Sequence, residues 1–165
     1  MPIFRLAAET MLFVQFTLDN DRYVIDSSQV ERMLSLVPLK AMPGVPDWIA
    51  GVLDYESLPV PVIDLAALAL GRRSHERLST RLALVHYPHE TLTGVEHKRL
   101  GILLERATRT LTLDRTAFRP AGVEAANARY LGPLARDTQG LVQWVRIEHL
   151  LPEHVQAQLF TQSEA

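Results

Sequence analysis

Residues 51–71 read GVLDYESLPVPVIDLAALALG, with two prolines standing two apart inside an otherwise strand-like run. A proline has no N–H to give to a sheet ladder. Successive N–H groups along a strand point to opposite edges, and Pro59 and Pro61 share one parity, so both missing donors face the same edge. The N–H groups of Val60, Val62 and Asp64 face the other edge and remain usable. The run therefore predicts a strand that pairs fully on one side only, or meets a bulge on the other, and such an edge resists indiscriminate pairing. Val60 and Val62 share one side-chain face, opposite Pro61 and Ile63. The preceding DYES (54–57) reads as a polar turn at the strand's mouth. Asp64 is placed to cap the helical turn LAALALG (65–71), with Gly71 as its C-cap.

Working outward, the pattern stays short and β-rich. LFVQFTL (12–18), DND (19–21) and RYVID (22–26) read as two strands about a tight polar turn. In SSQVERMLSLV (27–37), Ser27 or Ser28 is a candidate helix cap, with Glu31 completing a capping box after Ser28; a brief turn and then a strand is expected. KAMPGVPDW (40–48) is loop, with Trp48, Ile49 and Val52 on one side of a possible single helical turn. RRSHERLSTR (72–81) is a charged loop and LALVHY (82–87) a strand, with Leu82, Leu84 and His86 on one face. PHETLTGVEHK (88–98) reads as a hairpin connection. RLGILLERATRTLTL (99–113) reads as a strand broken near residues 105–107. A loop over 114–128, RYLGPLA (129–135), and LVQWVRI (141–147) after the DTQG turn complete the β pattern. EHLLPEHVQAQLF (148–160) is the best helix, interrupted near its start by Pro152. Many short strands with one terminal helix argue for small barrels. The lack of long crossover helices argues against a doubly wound parallel sheet.

Composition narrows the function. The chain has 165 residues, 47% of them apolar, which suits one domain or two small subdomains sharing a core. Its net charge of -2 gives no global field for nucleic acid or an acidic membrane. Arginine dominates the basic residues, and the absence of cysteine excludes disulfides, thiolate metal sites and cysteine nucleophiles. No run is long enough for a membrane helix, and MPIFRLAAETMLFVQF, interrupted by Glu9, does not read as a signal peptide.

No catalytic constellation stands out. His86, His89 and His97 cluster in sequence, and a hairpin that joined His86 to His97 would offer a metal site, but the spacing matches no tight motif and solvated loop histidines are the plainer reading. There is no G-x-S-x-G elbow and no glycine-rich phosphate cradle. Asp54, Glu56 and Asp64 read more simply as turn and cap residues than as a catalytic pair. Arg72, Arg73, Arg77 and Arg81 lack interleaved aromatics, so they suit a solvated loop or an acidic protein surface better than nucleic acid.

The segments and their order resemble the chemotaxis coupling protein (CheW) family over about residues 12–155. FVQFTL and RYVID resemble its opening strands. VERMLSLVPLKAMPGVPDWIAGVLDYESLPVPVIDLAALALG resembles its central signature, a valine-glutamate-type strand, a proline loop, and a G-V-[IL]-N-x-R-G turn leading to P-V-[IV]-D-L. Gly51, Val52 and Leu53 match, as do Pro61, Val62, Ile63, Asp64 and Leu65. RLGILLERATRTLTLDRTAFRP and YLGPLARDTQGLVQWVRIEHLL resemble the later strand and the closing hairpin and helix.

The resemblance implies a mainly β fold of two intertwined five-stranded SH3-like β barrels with short helices and a C-terminal helix. It assigns residues 10–155 to the coupling domain and 156–165 to a tail. It implies a cytoplasmic adaptor without catalysis or cofactor, recruited to membrane-associated receptor arrays without membrane insertion or nucleic-acid binding. Its partners would be the regulatory domain of a histidine kinase, docked on the first subdomain, and the cytoplasmic tip of a methyl-accepting chemoreceptor near the groove between subdomains. The matching interface positions are Val30, Arg32, Gly51, Asp54 and Glu56; Pro59, Pro61, Asp64 and Gly71 are structural.

The departures are informative. Glu56 stands where the family has its signature arginine, Ser57 where it has glycine, Asp54 where it has asparagine, and Arg32 where it has glutamate. If Arg32 and Glu56 are neighbours, an inverted ion pair keeps the local geometry while changing the charge shown to partners. That points to a specialised member in an alternative chemosensory (Wsp-like) pathway. The competing readings are a diverged scaffold or kinase-modulating protein, and a metal-dependent enzyme using His86 and His97 or the carboxylates of 54–64.

Overall fold

The computed structural model describes residues 9–160. The first apolar runs form an antiparallel hairpin, β1 (Thr10–Leu18) and β2 (Asp21–Asp26). Its two-residue turn needs left-handed backbone, which Asp19 adopts at φ 54°. A single 3-10 turn, Ser27–Gln29, then leads into β3 (Val30–Ser35). The turn is capped by Asp26, whose carboxylate accepts the Ser28 N–H at 2.9 Å, and not by Ser27 or Ser28.

The proline-marked stretch forms a second hairpin, β4 (Ile49–Tyr55) and β5 (Leu58–Asp64). The residues from Ile49 onward are therefore strand and not the helical turn expected there, because their alternate side chains enter a core. The turn is also narrower than DYES, being Glu56 and Ser57 alone, both left-handed at φ 51° and 66°. Tyr55 opposes Leu58 across it, so the alternation of bonded pairs aims the Pro59 and Pro61 nitrogens away from β4. On that outer edge β7 (Gly94–Asp114) meets only Val62–Asp64, beyond both prolines.

Helix α1 (Leu65–Leu70) follows, with Asp64 accepting the Ala67 N–H at 3.3 Å and Gly71 closing it at φ 72°. Strands β6 (Arg81–Thr91) and β7 form a long hairpin. Thr91 opposes Gly94, so its connection is Leu92 and Thr93 rather than the whole of 88–98. The chain closes with β8 (Leu131–Asp137), β9 (Gly140–Val145), a 3-10 turn at Ile147–His149 and α2 (Glu153–Leu159), which starts after Pro152.

The strands make two five-stranded units. The first runs β3-β6-β7-β5-β4 and the second β7-β1-β2-β9-β8, so the 21-residue β7 belongs to both. Each closes by the same device. Lys40, beyond β3, bridges Val52 of β4, and Arg119, beyond β7, bridges Leu134 of β8. The result is two intertwined SH3-like barrels, as expected.

Period-two alternation sends successive residues into different cores. Leu53, Val60, Val62, Leu82 and Leu84 fill the first barrel. Phe13, Val24, Leu113, Ala135 and Val142 fill the second, with Trp144 edge-on to Phe13 at 5.2 Å. Val14, Phe16, Ile63, Val85, Leu100 and Ile102 face a shared core between them. Strands buried on both faces explain why these segments read as nearly continuous apolar runs.

The boundary at residue 155 does not hold as a structural one. Helix α2 runs through it, and Phe160 packs in the shared core with its ring 5.6 Å from that of Tyr87. The Tyr87 hydroxyl accepts the Leu151 N–H at 3.2 Å and Gln156 Nε2 at 3.3 Å, and donates to the Glu148 carbonyl at 3.1 Å. Residues 156–160 therefore belong to the fold; 161–165 lie outside the described residues.

Candidate functional site

The five positions expected at an interface all lie in the first barrel. Strand β3 opens with a bulge: Val30 opposes Val85 and Arg32 opposes Leu84, leaving Glu31 as the extra residue. A bulge re-aims a side chain, and here it turns Glu31 across β6 toward β7. Glu31 Oε1 accepts from Arg99 Nε at 3.2 Å and lies 3.5 Å from His86 Nε2. Arg99 and His86 are cross-strand partners in the β6–β7 hairpin. The same guanidinium stands over the Tyr55 ring, 5.3 Å from its centroid, and reaches Glu56 Oε2 at 4.0 Å.

Two carboxylates, one from the bulge of β3 and one from the β4–β5 turn, thus converge on one arginine. The partner of Glu56 is Arg99, and the inverted pair with Arg32 is not formed. Arg32 is exposed and, among the described residues, enters no ion pair or side-chain hydrogen bond. The expectation failed because the bulge at the head of β3 puts residue 31, not 32, against the cluster. Arg99 itself escaped sequence reading, although the 92–93 turn, once located, pairs it with His86.

Exposed pairs of this kind are worth about 0–1 kcal/mol each, so the cluster contributes mainly orientation and charge. Glu56 is 62% exposed and sits on a turn whose two non-glycine residues are left-handed, a conformation costing about 1–2 kcal/mol per residue. The strained turn thus presents a partly paired carboxylate two residues from exposed Asp54.

Of the remaining expected positions, Gly51 and Asp64 are buried, Val30 and Pro61 half-buried, and Pro59 and Gly71 exposed. Val30 packs against the shared core. Gly51 is buried at φ 146°, and a Cβ there would lie 2.5 Å from the Lys40 carbonyl. Glycine at 51 therefore permits the Lys40–Val52 bridge that closes the barrel. Asp64 is buried and accepts from the Ala67 N–H, the Ser74 N–H at 2.8 Å and the Ser74 hydroxyl at 2.6 Å.

Where β7 passes from one barrel to the other, a second polar network forms. Glu105 accepts from Arg72 at 2.8 and 3.1 Å and from the His75 N–H at 2.7 Å, while Arg72 also reaches Asp19 in the β1–β2 turn at 2.7 Å. Burial works to raise the Glu105 pKa, but Arg72 and the His75 N–H outweigh it and hold the carboxyl below its ordinary value. Thus the charged 72–81 loop is no free solvated arm, since Arg72 straps both barrels together. The β3–β4 loop and the α1–β6 loop enclose a groove of about 850 Å³ with Leu36, Leu39, Leu103 and the exposed Leu78 on its walls.

The histidines are not brought together as a site. His97 opposes Pro88, not His86, and among the described residues no group of three His, Asp or Glu side chains is placed to hold a metal ion. No described helix is long and apolar enough to cross a membrane.

Comparison with known proteins agrees with this architecture. The family described as CheW-like domain matches residues 12–155. The chain is 29% identical to a chemotaxis protein CheW of Klebsiella aerogenes over 154 residues, covering 89% of this chain and 86% of the relative. It is 24% identical to a chemotaxis protein CheW of Treponema pallidum over 135 residues, 78% of this chain and 74% of that one. The fold matches the crystal structure of the scaffolding protein TtCheW from Thermoanaerobacter tengcongensis with a TM-score of 0.73 at 16% identity, over 92% of this chain and 93% of that one.

Proposed function

Because the chain belongs to the CheW-like domain family, matched over residues 12–155, we propose that it is a non-catalytic chemotaxis adaptor that couples methyl-accepting chemoreceptors to a histidine kinase. The observation that carries this reading is the charged, strained Glu56–Ser57 turn, held beside Glu31 by Arg99 and displayed on the wall of a closed barrel. Such a surface suits a transient interface, in which rim charges set on-rate and partner choice more than affinity. The names of the related proteins, chemotaxis proteins and a scaffolding protein, support the same role. In this reading the kinase's regulatory domain and the receptor's cytoplasmic tip are the partners, and bond-making chemistry belongs to the kinase. The protein acts in the cytoplasm and joins receptor arrays by protein contacts alone.

The acidic turn further favours a dedicated set of partners in an alternative chemosensory pathway of the Wsp-like kind. A turn bearing Glu56 repels an acidic surface and favours a basic one. Calorimetric titration of the full chain against its own kinase regulatory domain and receptor tip, and against those of a standard flagellar system, tests both levels. Binding to its own partners alone supports the whole reading. Equal binding to both sets overturns the dedicated pathway, and binding to neither overturns coupling.

A further inference from the structure

Strand β7 loses one of its neighbours half-way along. Its edge toward β6 is paired as far as Leu104, opposite Arg81, and once more where the Ala107 N–H donates to the Ser79 carbonyl at 3.0 Å. Beyond that point β7 pairs with β1 alone. The Arg115 N–H donates to the Glu9 carbonyl at 2.9 Å, in register with Thr10 opposite Asp114. Bonded and non-bonded pairs alternate in an antiparallel ladder. Arg109, Leu111 and Leu113 therefore turn their backbone groups to β1, while Thr110 and Thr112 turn theirs outward. Among the described residues nothing pairs with those outward groups.

This edge lacks the protection given to β5, since residues 108–114 contain no proline. Leu12, opposite Thr112 and 49% exposed, adds an apolar contact on the same face. Charge makes the edge selective. Arg106 and Arg109 are exposed and enter no ion pair among the described residues. At its Arg106 end the edge opens on a cavity of about 370 Å³ that Arg77 also lines. The two carboxylates in that cavity, Asp19 and Glu105, are both held by Arg72, so Arg77 and Arg106 keep their charge for a ligand.

We propose that the outer edge of β7, residues 108–114, takes an extended acidic segment of a partner protein as an added strand, with an acidic side chain seated between Arg77 and Arg106. Strand addition satisfies the outward groups of Thr110 and Thr112, and the arginines choose the sign of the incoming segment. A second copy using the same edge would bring like charges together, which disfavours self-pairing.

The test is fluorescence titration of the full chain with a short labelled peptide of alternating glutamate and valine, against its lysine–valine counterpart. The glutamate peptide is expected to bind and the lysine peptide not. Thr110→Pro removes one outward N–H at a position an edge strand tolerates, and should weaken binding by about tenfold or more, as should the Arg106→Glu/Arg109→Glu pair. Equal binding of the two peptides, or undiminished binding by Thr110→Pro, overturns the proposal. So does a dimer that Thr110→Pro dissolves, which would give the edge to a second copy. Should Thr110→Pro unfold the chain, amide shifts in the unaltered protein decide: changes centred on Thr110 and Thr112 support the added strand, and changes confined elsewhere refute it. The edge lies on the second barrel and the Glu56 turn on the first, so failure here and failure of the coupling reading are separately visible.

Discussion

Arg99 on β7 donates from Nε to Oε1 of Glu31 on β3 at 3.2 Å, across the intervening β6. A bulge at the head of β3 makes that reach possible, and the same guanidinium extends to Glu56 at 4.0 Å. One arginine therefore ties the first strand of the barrel to the turn it displays.

Arg99→Ala should leave the fold intact, shifting stability by no more than about 1 kcal/mol, while changing the affinity for the kinase regulatory domain or receptor tip. Glu56→Arg should change partner affinity in the same experiment without unfolding the domain. Calorimetry beside a urea melt separates the two effects. A double-mutant cycle on Glu31 and Arg99 should show coupling of about 0.2–1 kcal/mol; no coupling would mean the pair does not orient the turn.

Asp64→Ala removes the α1 cap and leaves the Ser74 N–H and hydroxyl without their acceptor. The cap alone is worth about 0.5–2 kcal/mol, and stranding the half-buried Ser74 donors adds to that. A loss of about 2 kcal/mol or more in denaturant unfolding is expected, and a loss below about 0.5 kcal/mol would show that the loop relaxes around the gap.

Gly51→Ala places a Cβ 2.5 Å from the Lys40 carbonyl at a backbone angle that suits glycine. It should destabilise by more than about 1 kcal/mol and loosen the Lys40–Val52 bridge. Faster hydrogen exchange at Lys40 and Val52 is the specific sign, since both amides donate across that bridge.

The strap between the barrels should be acid-sensitive. The Glu105 carboxyl is held below its ordinary value, so its folded-state pKa lies under the unfolded one. Its contribution is complete above the unfolded value, about 4.3, and is lost as pH falls through the folded value. Asp137, lowered chiefly by its hydrogen bonds from Arg22 at 2.6 and 2.8 Å, behaves the same way at the other barrel. Glu105→Gln should flatten the stability–pH curve below about pH 4.3 relative to the unaltered protein; an unchanged slope would remove Glu105 from the acid response.

Phe160→Ala should cost about 3 kcal/mol, as for other buried aromatics, because the ring packs on Tyr87 in the shared core. A chain ending at residue 155 should melt lower than one ending at 160. Equal melting temperatures would restore the boundary at 155.

The sequence by itself determined most of the strands, though not β4, together with the side of β5 that pairs, the helical turn after Asp64 and the β-barrel class. Each of these rests on local rules: period-two alternation, the missing proline N–H, and a carboxylate before a short apolar turn. The pairing of residues far apart in the chain was decided only by the tertiary structure. One bulge set residue 31, not 32, against the cluster, and Glu56 reaches Arg99 instead of Arg32. The sharing of β7 by both barrels and the open edge of its second half arise from where β6 begins and β1 takes over. Register slips and partner exchange are set by the sum of packing across three cores, and no single segment carries that information.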